Sequence, residues 1–320
     1  MNFFENVENN EQDSHGIFAE KYRPKSMDEY ICNDHLKRIF KEFINKKEIP
    51  HLLLHSAFPG SGKTSLAKIL VNSIPCDHIY VNVSDHTGVD YVRDTLKPFA
   101  SSSGFNDLKI VILDEFDFSS VNYQASLRSI LETYSKNTRF ILTCNYVEKI
   151  IQPLISRCQV FEIEPPSKKD VAIYTKNILD KEKITFDLTD FKKVIDDFYP
   201  DIRKIINFLQ QSSSSGTLKL VKSQGSSYDT KNKLIELLKS STENSNAFNN
   251  IRQLINDSGS RTFDDLYSEL FDKCSEYASG KETSVIIYIA EHIFQSSMVV
   301  DKEITFMACI IKIIRCLNSK

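Results

Sequence analysis

Short, nearly continuous apolar runs recur through the first half of the chain, at residues 52–54, 79–83, 110–113, 140–143 and 160–163, with helix-like spacing of apolar residues between them. A strand buried on both faces reads as such a run, so the alternation predicts a parallel α/β sheet with helices on both sides. Pro165-Pro166 then breaks the pattern. Ser167 with Asp170 three residues on has the form of a capping box, and helical periodicity continues through Gln210. Residues 212–228, with a serine run and two glycines, read as a linker. Beyond them lie four or five amphipathic helical stretches, for example 231–238, 263–271 and 284–294. The organisation predicted is a flexible tail over 1–16, an α/β domain over 17–164, a helical lid over 165–211, a linker over 212–228 and an all-helical domain over 229–320. No internal repeat is visible.

The first apolar run leads into Ala57-Phe58-Pro59-Gly60-Ser61-Gly62-Lys63-Thr64, and a helical pattern resumes at Ser65-Leu66. Strand, glycine loop, helix is the context a phosphate-binding P-loop needs. Glycines let backbone N–H groups turn toward phosphate oxygens, and the helix N-terminus favours negative charge. Lys63 is placed to reach the β- and γ-phosphates, and Thr64 to ligate Mg²⁺. Ala57 stands where the strict pattern has glycine. The third run ends at Asp114-Glu115, so a buried strand delivers two carboxylates to the edge of the sheet where ligands of α/β folds bind. Asp114 is the candidate for the Mg²⁺ shell, and Glu115 for the base that orients an attacking water. Asn145 follows the fourth run, where its amide can reach the same water. No guanine-reading NKxD follows the loop, which favours ATP as the nucleotide.

Charge narrows the partners. The chain has 320 residues and a net charge of −3, so no global basic field holds nucleic acid, and any such contact is local. Seven cysteines are scattered without a CxxC pair, which argues against a zinc site or a disulfide framework and for a reducing compartment. The polar, acidic first residues do not have the form of a signal peptide, and no apolar stretch is long enough to span a bilayer. A soluble intracellular protein is expected.

With the acidic pair Asp114-Glu115, three further segments complete a pattern: Glu20-Lys21-Tyr22-Arg23-Pro24, Ser156-Arg157-Cys158 and Pro200-Asp201-Ile202-Arg203. In this order around a P-loop they resemble AAA+ clamp-loader ATPases, in particular the sliding-clamp-loader large subunits of T-even-like bacteriophages and, more distantly, replication factor C small subunits. The resemblance covers the first ~210 residues; the C-terminal helices match only in length and helical character. It implies nucleotide contacts from Ala19, Glu20, Lys21, Tyr22 and Ile31 on the adenine side, and from Gly60, Ser61, Gly62, Lys63, Thr64 and Ser65 at the phosphates. Asn145 would be sensor 1, and Arg203 sensor 2, feeling the γ-phosphate. Arg157 would be an arginine finger acting in trans on a neighbour's ATP. Arg93, entering a helix after residues 84–92, is a candidate DNA phosphate contact. The helix 123–134, with Gln124 and Arg128, would connect the DNA-facing surface to Asp114-Glu115.

The same resemblance implies a DNA-dependent ATPase using ATP and Mg²⁺ during DNA replication, with a helical C-terminal collar. Its partners would be a sliding clamp, a loader small subunit, other copies of itself (four with one small subunit) and primer–template DNA, in the cytoplasm of an infected bacterial host. Three alternatives stay open: another DNA-associated AAA+ ATPase such as a helicase loader or branch-migration motor, a catalytically silent loader subunit, and a small-molecule P-loop kinase.

Overall fold

The computed structural model describes residues 16–213, 216–219, 227–242, 246–258 and 263–319. All but the last residue of the tail expected over 1–16, and much of the linker expected over 212–228, fall outside them. The chain forms two compact units that divide between Leu218 and Lys219.

The first unit is built on five strands: β1 (Leu52–His55), β2 (Asp77–Asn82), β3 (Lys109–Asp114), β4 (Thr138–Cys144) and β5 (Gln159–Glu162). All pair in parallel, in the order β2-β3-β4-β1-β5. The strand period of two sorts the apolar runs into two cores. Leu53, Val111, Leu113, Phe140 and Leu142 face one layer of helices. Leu52, Leu54, Ile110, Ile112 and Ile141 face the other, with Leu66, Ile69 and Leu70 of the helix Lys63–Ser73 packed on them. This is why the runs of the central strands look continuous: in β1, β3 and β4 nearly every residue is buried, on alternate sides.

The crossover that seats β1 between β4 and β5 opens a crevice at the carboxyl ends of the strands. Three helices follow the sheet, Lys168–Lys181, Leu188–Phe198 and Ile202–Ser212. Each opens on a side-chain cap, from Ser167, Asp187 and Asp201. The Ser167 hydroxyl accepts from the Asp170 backbone N–H at 3.1 Å and donates to the Asp170 carboxylate at 2.6 Å. Asp170 is too short to bond the Ser167 backbone as a glutamate would, so the box closes through the hydroxyl.

The second unit is helical, comprising Ser227–Lys239, Ala247–Ser258, Asp264–Asp272, Cys274–Tyr277, Glu282–Ser296 and Lys302–Asn318. They enclose their own apolar core, which includes Leu234, Ile251, Tyr267, Ile289, Phe306 and Ile310. Among the described residues no helix is long and apolar enough to cross a membrane.

Candidate nucleotide-binding site

The glycine loop turns through two left-handed residues, Gly60 (φ 70°) and Gly62 (φ 93°). Both glycines are required twice over, by the positive φ and by close neighbours. A Cβ on Gly60 would lie 2.1 Å from Asp201 Oδ1, and one on Gly62 would lie 3.0 Å from the Tyr30 ring. Gly62 leads directly into the helix Lys63–Ser73, so free N–H groups of its first turn face the crevice.

Lys63 is 9% exposed. Its ammonium donates to Asn145 Oδ1 at 2.8 Å, with Phe58 O and Ser61 Oγ each at 3.4 Å. Burial lowers its pKa, while Cys144, Asp114 and Asp117 act in the opposite sense. The acceptors it bonds, Asn145 Oδ1, Phe58 O and Ser61 Oγ, are all neutral, so the ammonium is positioned to exchange them for phosphate oxygens.

Asp114, 7% exposed at the end of β3, gathers the hydroxyls around it. Thr64 Oγ1 lies 3.0 and 2.9 Å from its two carboxylate oxygens. Thr143 of β4 donates to Oδ1, and Tyr80 of β2 donates to Oδ2 at 2.7 Å. Glu115 is exposed and left-handed (φ 55°), and its N–H donates to Thr143 Oγ1 at 3.2 Å. Thr143 therefore fixes both members of the acidic pair. Asp117, 5% exposed, accepts from the Asn145 backbone N–H at 3.4 Å and leaves Oδ1 without a partner.

A cleft adjoins the loop. Of the residues expected to contact nucleotide, Ala19, Ile31, Gly60, Ser61, Gly62, Ser65 and Arg203 line it. Glu20, Lys21, Tyr22, Lys63 and Thr64 do not. Glu20 pairs with Arg23 at 2.5 Å, whereas Lys21 and the Tyr22 hydroxyl reach Glu182 of the lid at 2.7 and 2.6 Å. The backbone of this segment is also tied to the lid: Phe18 N–H donates to Gln210 Oε1 at 2.9 Å, and Tyr174 donates to Tyr22 O. Its side chains thus serve as a strap across the lid, and it is Arg23, Pro24, Glu29, Tyr30, Tyr174, Ile202 and Ile206 that complete the cleft wall. The sequence carries little sign of Tyr174 or Ile206, since the lid brings them in from more than a hundred residues away.

Arg157 is absent from the wall of its own chain's cleft. It follows the helix Gln152–Ile155, donates to Pro153 O at 2.6 Å and pairs with Glu132 at 2.5 Å. Arg93 is exposed in a π-helical turn, Val92–Leu96. Gln124, 1% exposed, bridges two segments: it donates to Lys149 O at 3.0 Å and accepts from Ile151 N–H at 2.8 Å. It ties the helix Val121–Thr133 to the loop after β4, the strand that ends beside Asn145.

A parallel sheet of this order with a glycine loop on β1 and an acidic pair on β3 defines a P-loop nucleotide-binding domain. Residues 53–165 match the family model described as "ATPase family associated with various cellular activities (AAA)". The chain is 37% identical over 209 residues to a replication factor C small subunit of Sulfolobus acidocaldarius, a match covering 63% of this chain and 64% of that protein. It is 38% identical over 212 residues to the sliding-clamp-loader large subunit of Enterobacteria phage T4, covering 63% and 66%. The matched region spans a little under two thirds of these relatives' length. The Thermotoga maritima RuvB Holliday junction branch migration motor aligns with a TM-score of 0.53 over 80% of each chain at 15% identity, a likeness of fold.

Proposed function

We propose that this chain is an ATP-hydrolysing subunit of a sliding-clamp loader acting in DNA replication. The observation that carries the reading is its 37–38% identity, over 63% of its length, to proteins named as clamp-loader subunits. The site supports it. Lys63 and the glycine loop would hold the phosphates. Thr64 and Asp114 offer oxygen donors only, a set suited to Mg²⁺, which when bound neutralises phosphate charge. Glu115, exposed at the rim, would orient water as a base, and Asn145, already bonded to Lys63, would sense the γ-phosphate. Arg203 on the cleft wall would add positive charge from the lid.

Arg157, held by Glu132 and Pro153 O in this chain, would complete a neighbour's site. Phosphoryl transfer depends on charge stabilisation, and such a finger contributes roughly 10³–10⁵ in rate. Hydrolysis would then require assembly with other copies (four with one small subunit), a sliding clamp and primer–template DNA, in the cytoplasm of a host cell. Arg93 remains the proposed phosphate contact, which would give salt-dependent, sequence-independent DNA binding. The collar role assigned to residues 229–320 belongs to the same proposal.

The test is steady-state ATP turnover with and without primed DNA and sliding clamp. Turnover should rise when both are added. Lys63→Ala should abolish nucleotide binding, and Glu115→Gln should bind nucleotide but not turn it over. Turnover indifferent to DNA and clamp would favour another DNA-associated AAA+ ATPase. Full turnover by Glu115→Gln would remove the base assignment.

A further inference from the structure

Asp114 has more partners than a P-loop and its acidic strand supply. The Tyr80 hydroxyl, 34 residues away in sequence, donates to Asp114 Oδ2 at 2.7 Å. Tyr80 lies on β2, at the edge of the sheet, in register with Ile112 of β3. Alternate residues of a strand share a face, so Asp114 follows Ile112 on the side covered by the helix Lys63–Ser73. From that register the phenol spans two residues of β3 to reach the carboxylate. Lys68, one turn after Thr64 on the helix, places its ammonium 4.9 Å from the Tyr80 ring centroid. The ring is 44% exposed and contributes little to the core, while its hydroxyl is engaged. Partial burial and the bond to Asp114 raise the phenol's pKa, so it remains a donor across the neutral range.

The arrangement of protons on Asp114 gives this contact a purpose. Thr64 has one hydroxyl proton, and its oxygen is almost equidistant from both carboxylate oxygens. Thr143 engages Oδ1 alone, and Tyr80 engages Oδ2 alone. Each oxygen is thus pinned by one dedicated donor from a neighbouring strand, and the side between them is left to Thr64 and whatever Thr64 ligates. A carboxylate held by two donors cannot rotate about its terminal torsion, which is otherwise broad.

We propose that Tyr80 is a positioning residue for the divalent-cation seat, orienting the Asp114 carboxylate toward Thr64 so that a metal–nucleotide complex meets a preset oxygen. The assignment rests on the nucleotide-binding reading above and adds to it a residue from outside the P-loop and the acidic pair. Partners of this kind change metal affinity on the order of 10–100-fold. Because β2 supplies the hydroxyl and β3 the carboxylate, the metal seat also depends on the register of the sheet edge.

The test is Tyr80→Phe in the full chain, which keeps the ring and its contact with Lys68 and removes one oxygen. Binding of a fluorescent ATP analogue is titrated first in EDTA and then against Mg²⁺, with Mn²⁺ occupancy followed by electron paramagnetic resonance. The expected result is unchanged metal-free affinity, a rise of about tenfold in the Mg²⁺ concentration for half-saturation, and a parallel loss of Mn²⁺ occupancy. An unchanged or lowered Mg²⁺ requirement overturns the assignment. So does an equal loss of metal-free and metal-dependent binding, which would mark Tyr80 as merely structural. If the wild-type chain shows no metal-dependent binding, the nucleotide reading itself fails, and that outcome is distinct from a wild-type response retained by Tyr80→Phe.

Discussion

His51 stands one residue ahead of β1, where its Nδ1 accepts the Phe140 backbone N–H at 3.2 Å and so closes the ladder between β1 and β4. Burial, assisted by the Arg139 charge, lowers its pKa from 6.5 to about 4. A protonated Nδ1 could not accept that bond. As pH falls below 6.5 the unfolded chain takes up the proton first, so the neutral-histidine contribution to stability is complete above about 6.5 and disappears progressively toward pH 4. Urea midpoints of wild type and His51→Gln, compared from pH 7.5 to pH 4, should show a shallower acid loss in the variant, whose amide oxygen can still accept. Equal slopes would exclude His51 as a source. The same contrast between local and distant partners explains what the site residues revealed in sequence. Lys63, Thr64 and Asp114 stand in motifs whose spacing encodes their chemistry. Thr143 ends an apolar run and Tyr80 sits in an edge strand, both ordinary places for such residues, and only the sheet register joins them to Asp114. Glu182, which draws Lys21 and Tyr22 out of the cleft, is about 160 residues from them and carries no local mark.

Elements were more legible than partners. The five apolar runs end within two residues of the strand ends; the central strands β1, β3 and β4 are almost wholly buried, while the edge strands β2 and β5 keep exposed positions within their runs. The helix Ile202–Ser212 was legible from its periodicity, and the structure caps it with Asp201, whose Oδ1 accepts from the Lys204 N–H at 3.0 Å. What the periodicity could not convey is that the same oxygen fills the space over Gly60. The lid helix therefore begins against the phosphate loop, and one carboxylate ends a turn and borders a binding site. Asp201→Ala should cost about 1 kcal/mol in the unfolding of the first unit, the usual size of a lost N-cap. It should also change nucleotide affinity, because the groups around Gly60 and Arg203 share that helix start. Urea denaturation and nucleotide titration of the same variant separate the two effects. A stability loss with unaltered affinity would confine Asp201 to capping.

At the scale of the whole molecule, the proposed reaction centre draws on two separate groups of residues. Lys63, Thr64, Asp114 and Asn145 are joined by hydrogen bonds, whereas Arg157 is held by Glu132 and Pro153 O. On the proposed reading activity would be a property of assembly, with a heterologous contact through which one copy gives a finger to the next. The second unit offers a means of association: Ile287, Phe294, Met298, Val300 and Ile304, on and beside the helix Glu282–Ser296, are all more than half exposed. If the finger acts in trans, two inactive variants should repair each other. Lys63→Ala keeps Arg157, Arg157→Ala keeps Lys63, and neither alone should hydrolyse ATP in the DNA- and clamp-stimulated assay. Mixed before assembly in equal amounts, they should recover about a quarter of wild-type turnover, since a working site needs an intact loop on one copy and an intact finger on the next. A finger acting in cis would leave the mixture as inactive as its components, because every chain would still lack one half of its own site.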